Sequence, residues 1–183
     1  MTDAHEDPTL LLRDFVNTYD VESGRDRIPV PARLAAWLAE RRLAPVDVEA
    51  TDDDLATAVA LREGLREAMA ANHGPRDAET LDDLDDALAA LPLRLTLAGA
   101  RPALVPLDPP ATAAAGLARI AAAVADSVAA GTWPRLKVCQ EGTCRFAFLD
   151  TSKNRSRAWC SMSTCGNRTK TRAYRARRRP AAG

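Results

Sequence analysis

Apolar positions recur at helical spacing along most of the chain as far as Leu91. Leu11, Leu12, Phe15, Val16 and Tyr19 predict a first helix that opens at Asp7-Pro8, with proline in the first turn, where its missing N–H costs nothing. Ser23-Gly24 predicts its end. Ile28-Pro29-Val30-Pro31 is expected to be extended, because residues before proline avoid the helical region. Leu34, Trp37, Leu38 and Leu43 mark a short second helix with Trp37 in the core. Thr51-Asp52-Asp53-Asp54 has the form of a capping box with Asp at the usual Glu position. The helix it starts turns Leu55, Val59, Leu65 and Met69 inward and stops at Asn72-His73-Gly74-Pro75. A fourth helix places Leu81, Leu84, Leu88 and Leu91 on one face and Asp82, Asp83, Asp85 and Asp86 on the other. The acidic face lacks the spacing and central glycine of a calcium loop and reads as solvated surface.

The period then changes. Leu93-Arg94-Leu95-Thr96-Leu97 alternates as a strand does, turn residues follow, and Ala103 to Leu107 can return, with Pro106 at an edge or end. This predicts one antiparallel hairpin among helices. Asp108-Pro109-Pro110 opens a long alanine-rich helix with a Leu117, Ile120, Val124, Val128 stripe and a stop at Gly131. Its smooth surface suits close helix packing, including a homodimer contact. Trp133-Pro134 marks a boundary. The fold class expected is α+β: a mostly helical domain over 1–132 with one β-hairpin, and a small module over 133–183.

Charge sharpens that division. The formal net charge of zero conceals 12 Lys+Arg against 23 Asp+Glu in residues 1–132 and 13 against 2 in residues 133–183. An acidic body carrying a basic module points to an anionic partner for the module. The competing reading is internal neutralisation of one half by the other. Asn17 sits among apolar positions and reads better as a bracing amide than as a ligand contact. His73, in a last turn, reads as a group complementing the helix dipole, and His5 lies in the polar leading segment. With these two histidines so placed, a histidine-based catalytic site has little support.

All four cysteines fall within one stretch, as Cys139-x4-Cys144 and Cys160-x4-Cys165. Four thiolates in two knuckles can close a tetrahedral zinc site; alternatively they form two disulfides, which implies an oxidising compartment. The leading residues lack a basic stretch, an apolar core and a cleavage site, and no apolar run spans a bilayer, so a reduced, cytoplasmic setting and zinc are favoured. Leu136-Lys137-Val138 and Arg145 to Leu149 should form a hairpin with the first knuckle at its tip. Phe146, Phe148 and Trp159 supply so small a core that the module needs a staple to fold. Asp150, Thr151, Ser152 and Asn154 form a polar turn, with Asp150 and Asn154 as bracing groups.

The segment from Lys137 to Arg179 resembles the CGNR zinc finger. The resemblance lies in the paired cysteines, Phe148-Leu149-Asp150-Thr151-Ser152, Asn154, Arg157-x-Trp159-Cys160, and Cys165-Gly166-Asn167-Arg168 followed by basic residues. Such fingers follow an N-terminal ABATE domain in bacterial proteins, and Asp14-Phe15-Val16-Asn17-Thr18 with Trp37-Leu38 is similar to that domain's opening. The resemblance implies a stress-responsive transcription regulator, with RNA binding as another suggested role. It also implies one structural zinc on Cys139, Cys144, Cys160 and Cys165, within a treble-clef or ribbon-like module.

After Cys165 the chain can run as a helix, and Arg168, Arg172, Arg175 and Arg179 fall on one face of it. Lys170 lies on the same helix, and Arg155 and Arg157 add charge from the preceding loop. Each such cation can neutralise a phosphate and release a counterion. Trp159 and Asn167 are assigned to supporting the finger. The function expected is nucleic-acid binding, with a DNA-binding regulator first and RNA binding second. A protein-interaction module docking its basic tail on an acidic partner is the rival of another class. No enzyme is expected: a four-cysteine site has no vacant ligand position, and no nucleophile–base pair or phosphate-cradling glycine loop is evident.

Overall fold

A computed structural model of the protein describes residues 7–74, 82–99, 102–107, 109 and 111–178, with backbone alone at 82, 83 and 176–178. Helix α1 (Pro8–Val16) has Asp7 as its N-cap, whose carboxylate accepts from Thr9 N–H, and Pro8 in the first turn. It buries Leu11, Leu12, Phe15 and Val16. The chain then leaves the helix earlier than expected. Tyr19–Asp20 (β1) pairs antiparallel with Arg25–Asp26 (β2), so Tyr19 belongs to a strand rather than to α1. This second hairpin of the body was absent from the sequence reading. Asp20 caps its turn locally, and two buried arginines from later in the chain hold its strands. Arg62 donates to Thr18 and Asp26, and Arg66 donates to the carbonyls of Val16 and Tyr19.

Helix α2 (Pro31–Glu40) follows an extended Val30 and buries Leu34, Trp37 and Leu38. It closes with Arg42 in the left-handed region (φ 56°), while Leu43 N–H bonds the Leu38 carbonyl and Leu43 returns to the core. Helix α3 (Asp52–Ala70) begins with the capping box on Thr51, both reciprocal bonds to Asp54 being present. It ends in a short 3-10 turn, Ala71–His73. Helix α4 (Asp82–Ala89) buries Leu84 and carries exposed Asp85 and Asp86; Leu81 lies outside the described residues.

Leu93–Thr96 (β3) and Ala103–Pro106 (β4) form the expected hairpin, with Leu93 opposite Pro106 and Thr96 opposite Ala103. Its alternation does not bury a full face: Leu93 packs on the core, whereas Leu95, Leu97 and Leu107 are exposed. Helix α5 (Ala113–Ala129) starts at Thr112, whose hydroxyl accepts from Ala115 N–H, rather than at the preceding prolines. Its alanines are used within the chain. Ala118 and Ala121 lie in the core with Leu12 and Phe15 of α1, and Gly116 lets Leu38 approach to 3.2 Å of where a Cβ would stand. Gly131 (φ 69°) ends the helix as expected.

The last hairpin, β5 (Leu136–Val138) with β6 (Ala147–Leu149), joins Leu136, Val138 and Ala147 to the same core as α1, α3 and α5. A second, small cluster holds the cysteines, Phe148 and Trp159. Helix α6 (Asn167–Arg178) follows the second knuckle. Among the described residues, no helix is long and apolar enough to cross a membrane.

Candidate metal centre and basic helix

The first knuckle is built at the end of the β5–β6 hairpin. Cys139 leaves β5 with its N–H on the Phe146 carbonyl, and Cys144 N–H returns to the Glu141 carbonyl. Arg145, in the left-handed region (φ 47°), turns the chain back into β6. The second knuckle is a tight turn over Met162–Gly166. The Ser161 hydroxyl accepts from Thr164 N–H, and the N–H groups of Cys165 and Gly166 both reach the Ser161 carbonyl. Gly166 leaves room beside Met162: a Cβ there would stand 2.5 Å from Met162 Sδ and 3.4 Å from the Trp159 ring, so the methionine side chain would have to shift. A bond from Gln140 N–H to the Ala158 carbonyl ties the two halves.

The four Sγ atoms lie within 4.8 Å of one another, and the Cys144–Cys160 and Cys160–Cys165 separations are both 3.7 Å. A tetrahedron with Zn–S of about 2.3 Å has S–S edges of about 3.8 Å. The four free thiols thus converge on one centre of the right size, and the donor set fits one structural zinc. Burial pushes the Cys144 thiol well above its usual range and that of Cys160 up to about 11. Metal binding there exchanges thiol protons for the cation, which couples folding to metal.

The only two acidic residues of 133–183, Glu141 and Asp150, are both fully buried and paired. Asp150 accepts from Lys137 Nζ (2.9 Å), Ser152 N–H (2.9 Å), Ser152 Oγ (2.6 Å) and Arg157 N–H (3.0 Å). Burial opposes its ionisation, but these bonds outweigh it and hold the carboxyl well below its ordinary 3.8. Glu141 accepts from the N–H and hydroxyl of Thr143, and its other oxygen stands 2.7 Å from Arg172 Nη2 in an ion pair not aligned as a hydrogen bond. The Thr143 hydroxyl, then Arg172, depress its pKa to about 2 against the cost of burial. The sequence reading missed Lys137 and Glu141; the signal was two lone carboxylates among thirteen cations.

The expected basic residues separate into groups. Arg168 pairs with Glu22 of the body (2.8 Å) and approaches Glu141 (3.6 Å), and Arg172 pairs with Glu141. Arg157 is exposed but folds back on the finger: its Nε donates to the Trp159 carbonyl, its Nη2 to that of Cys160, and its guanidinium lies over the Phe148 ring at 5.0 Å. The side chains of Arg155, Lys170 and Arg175 are exposed and form no ion pair among the described residues. Arg179 lies outside the described residues. Asn167 donates to the Ser163 carbonyl, and Trp159 is half-buried beside the cysteines. Asn154 is exposed, so the bonds that brace its turn come from Asp150 and Ser152 instead. Phe146, read as finger core, is 42 % exposed and faces outward, because Ala147 and not Phe146 takes the inward position of β6.

The finger is clamped to the body by backbone-directed side chains. Asn17 donates to the Ala147 carbonyl and accepts its N–H, both at 2.8 Å, so the amide acts as one rung of a ladder beside β6. Asn72 Nδ2 donates to the carbonyls of Trp133 and Leu136. His73 Nε2 donates to the Val138 carbonyl, so this histidine braces β5 in addition to sitting in the last turn. Arg66 donates to the Arg145 carbonyl, and Arg145 pairs with Glu67.

An open groove of about 760 Å³ lies between α1, the end of α2, β4 and α5, with Leu11, Leu43 and Leu104 in its lining. Two of its arginines are already committed, Arg41 to Asp14 and the Trp37 ring, and Arg119 to the Leu43 carbonyl.

Comparison with known families agrees with this geometry. Residues 135–178 match the CGNR zinc finger, and residues 11–131 match the ABATE family, described as "Putative stress-induced transcription regulator". No curated protein matches the chain significantly.

Proposed function

We propose, for a chain that belongs to the ABATE family and carries a CGNR zinc finger after that domain, that the protein is a nucleic-acid-binding regulator, with DNA as the first target and RNA as the second. The observation that carries this reading is a basic helix, α6, mounted directly on the second cysteine knuckle. Cys165 is a candidate zinc ligand, and α6 begins two residues later. When bound, zinc supplies no chemistry beyond closing the knuckles, since four thiolates leave no open coordination position. The role therefore needs no catalytic residue. Lys170, Arg175 and Arg155 present their charge outward, where phosphates can reach it.

Phosphate contacts fix position without reading sequence. Replacing Arg175 by Ala is therefore expected to weaken binding to all sequences alike and to reduce the salt slope by about 1. Zinc content should not change. Unaltered affinity and slope in Arg175→Ala, Lys170→Ala and their combination would move the contact away from these two exposed cations. Sequencing of DNA and RNA fragments retained by the intact protein decides between the two polymers. Enrichment of neither favours the rival in which the basic tail docks on an acidic protein.

A further inference from the structure

Arg168 is held in the free protein by an acid from the other half of the chain. Glu22 sits in the turn between β1 and β2, and its carboxylate is 2.8 Å from Arg168 Nη1. The turn is not slack. The Asp20 carboxylate caps it through Glu22 N–H, Ser23 N–H and Ser23 Oγ, and Arg62 and Arg66 hold the strands from below. Glu22 is thus presented to α6 on a fixed tip. The two acids that face this end of α6 differ in what they can do. Glu141 is fully buried, held by the Thr143 N–H and hydroxyl and paired with Arg172 at 2.7 Å, with Arg168 farther off at 3.6 Å, so Arg172 serves as its anchor. The Glu22 side chain is 47 % exposed and that of Arg168 36 %, so either can exchange the other for water or for a new ion at small cost.

We infer that Glu22 is an internal competitor for nucleic-acid phosphate: it occupies the Arg168 guanidinium in the free protein and is displaced when a phosphate takes its place. The inference rests on the nucleic-acid reading above. It also gives the charge division of the chain a purpose, because the acidic body then restrains the basic finger through a defined contact. Binding to weak or isolated phosphates is discouraged, and only a polyanion that offers several contacts repays the exchange.

The experiment is a double-mutant cycle on the zinc-loaded full chain. Affinity for fluorescein-labelled duplex DNA of random sequence, and for an RNA of matched length, is measured for wild type, Glu22→Gln, Arg168→Gln and the double variant. Zinc content confirms that each keeps its finger. Glu22→Gln is expected to tighten binding by about two- to fivefold at low salt, the range of an exposed ion pair. The gain should shrink toward unity as salt is raised, and it should be absent in the Arg168→Gln background. A gain of equal size in both backgrounds overturns the inference, because Glu22 would then act only as a repelling charge. No gain in either overturns it as well, while the function stands. Absence of binding by all four proteins defeats the nucleic-acid reading and the competitor with it.

Discussion

At the scale of single residues, the finger depends on one buried carboxylate. Asp150 gathers Lys137, Ser152 and the Arg157 N–H, and so joins β5, β6 and the loop leading to the second knuckle. Replacing it by Asn removes the charge that offsets the buried Lys137 ammonium and sets an amide NH2 against donors that now face a carboxylate oxygen. The expected cost is about 3–5 kcal/mol, read from urea unfolding at neutral pH. The pH dependence has a definite sign. The folded-state pKa lies below the ordinary 3.8, so the ionised group stabilises the fold above that value and loses its contribution as pH falls through the folded one. The deficit of Asp150→Asn should therefore be flat from neutral pH to about 4 and narrow below it. A deficit that narrows already near pH 6 would assign the effect to another group. Asn17 shows what a sequence tells about such residues. Its role as a bracing amide was legible, but its partner, the backbone of Ala147 across 130 positions, was not.

At the scale of elements, legibility follows locality. The capping box at Thr51 and the β3–β4 hairpin could be read because their signals lie within a few residues of one another. The β1–β2 hairpin could not: Asp20 caps its turn locally, but its two-residue strands are too short and polar to show a period and are held by arginines on α3. The ends of α2 and α5 make the same contrast. Both use a left-handed residue after the cap, with a bond from the next N–H back to the last turn: Leu43 to Leu38, and Thr132 to Ser127. Gly131 announces the second, whereas Arg42 hides the first. A non-glycine residue in that conformation costs about 1–2 kcal/mol. Arg42→Gly is accordingly expected to raise stability by up to about 1 kcal/mol in thermal or urea unfolding, part of the relief being offset by glycine's greater freedom in the unfolded chain. A loss of stability would show that Arg42 makes a compensating contact. The orientation of α6 is a third case: Arg168, Arg172 and Arg175 share a face, as their spacing predicts, but which way that face turns is decided by Glu141 and Glu22.

At the scale of the whole molecule, the finger grows out of the body's core. Leu136, Val138 and Ala147 pack with α1, α3 and α5, and only the cysteine knuckles with Phe148 and Trp159 form a separate cluster. Metal loss should then release the knuckles and α6 while much of the body's helix content persists. The charge division that composition revealed becomes a contact between the halves at Glu22 and Arg168. The central claim is that zinc, through Cys165 and the knuckle it closes, holds a basic helix in place for nucleic-acid phosphate. The most direct test is affinity for labelled nucleic acid over a salt series, measured with zinc-loaded protein, with chelator-treated protein, and with Cys165→Ser. The expected result is a straight, falling plot of log affinity against log salt for the zinc-loaded chain, whose slope counts the phosphates neutralised. Chelation and Cys165→Ser should both abolish retention, and returning zinc should restore it to the chelated protein alone. Binding that is indifferent to salt, or that survives metal loss and Cys165→Ser at full strength, would contradict the account.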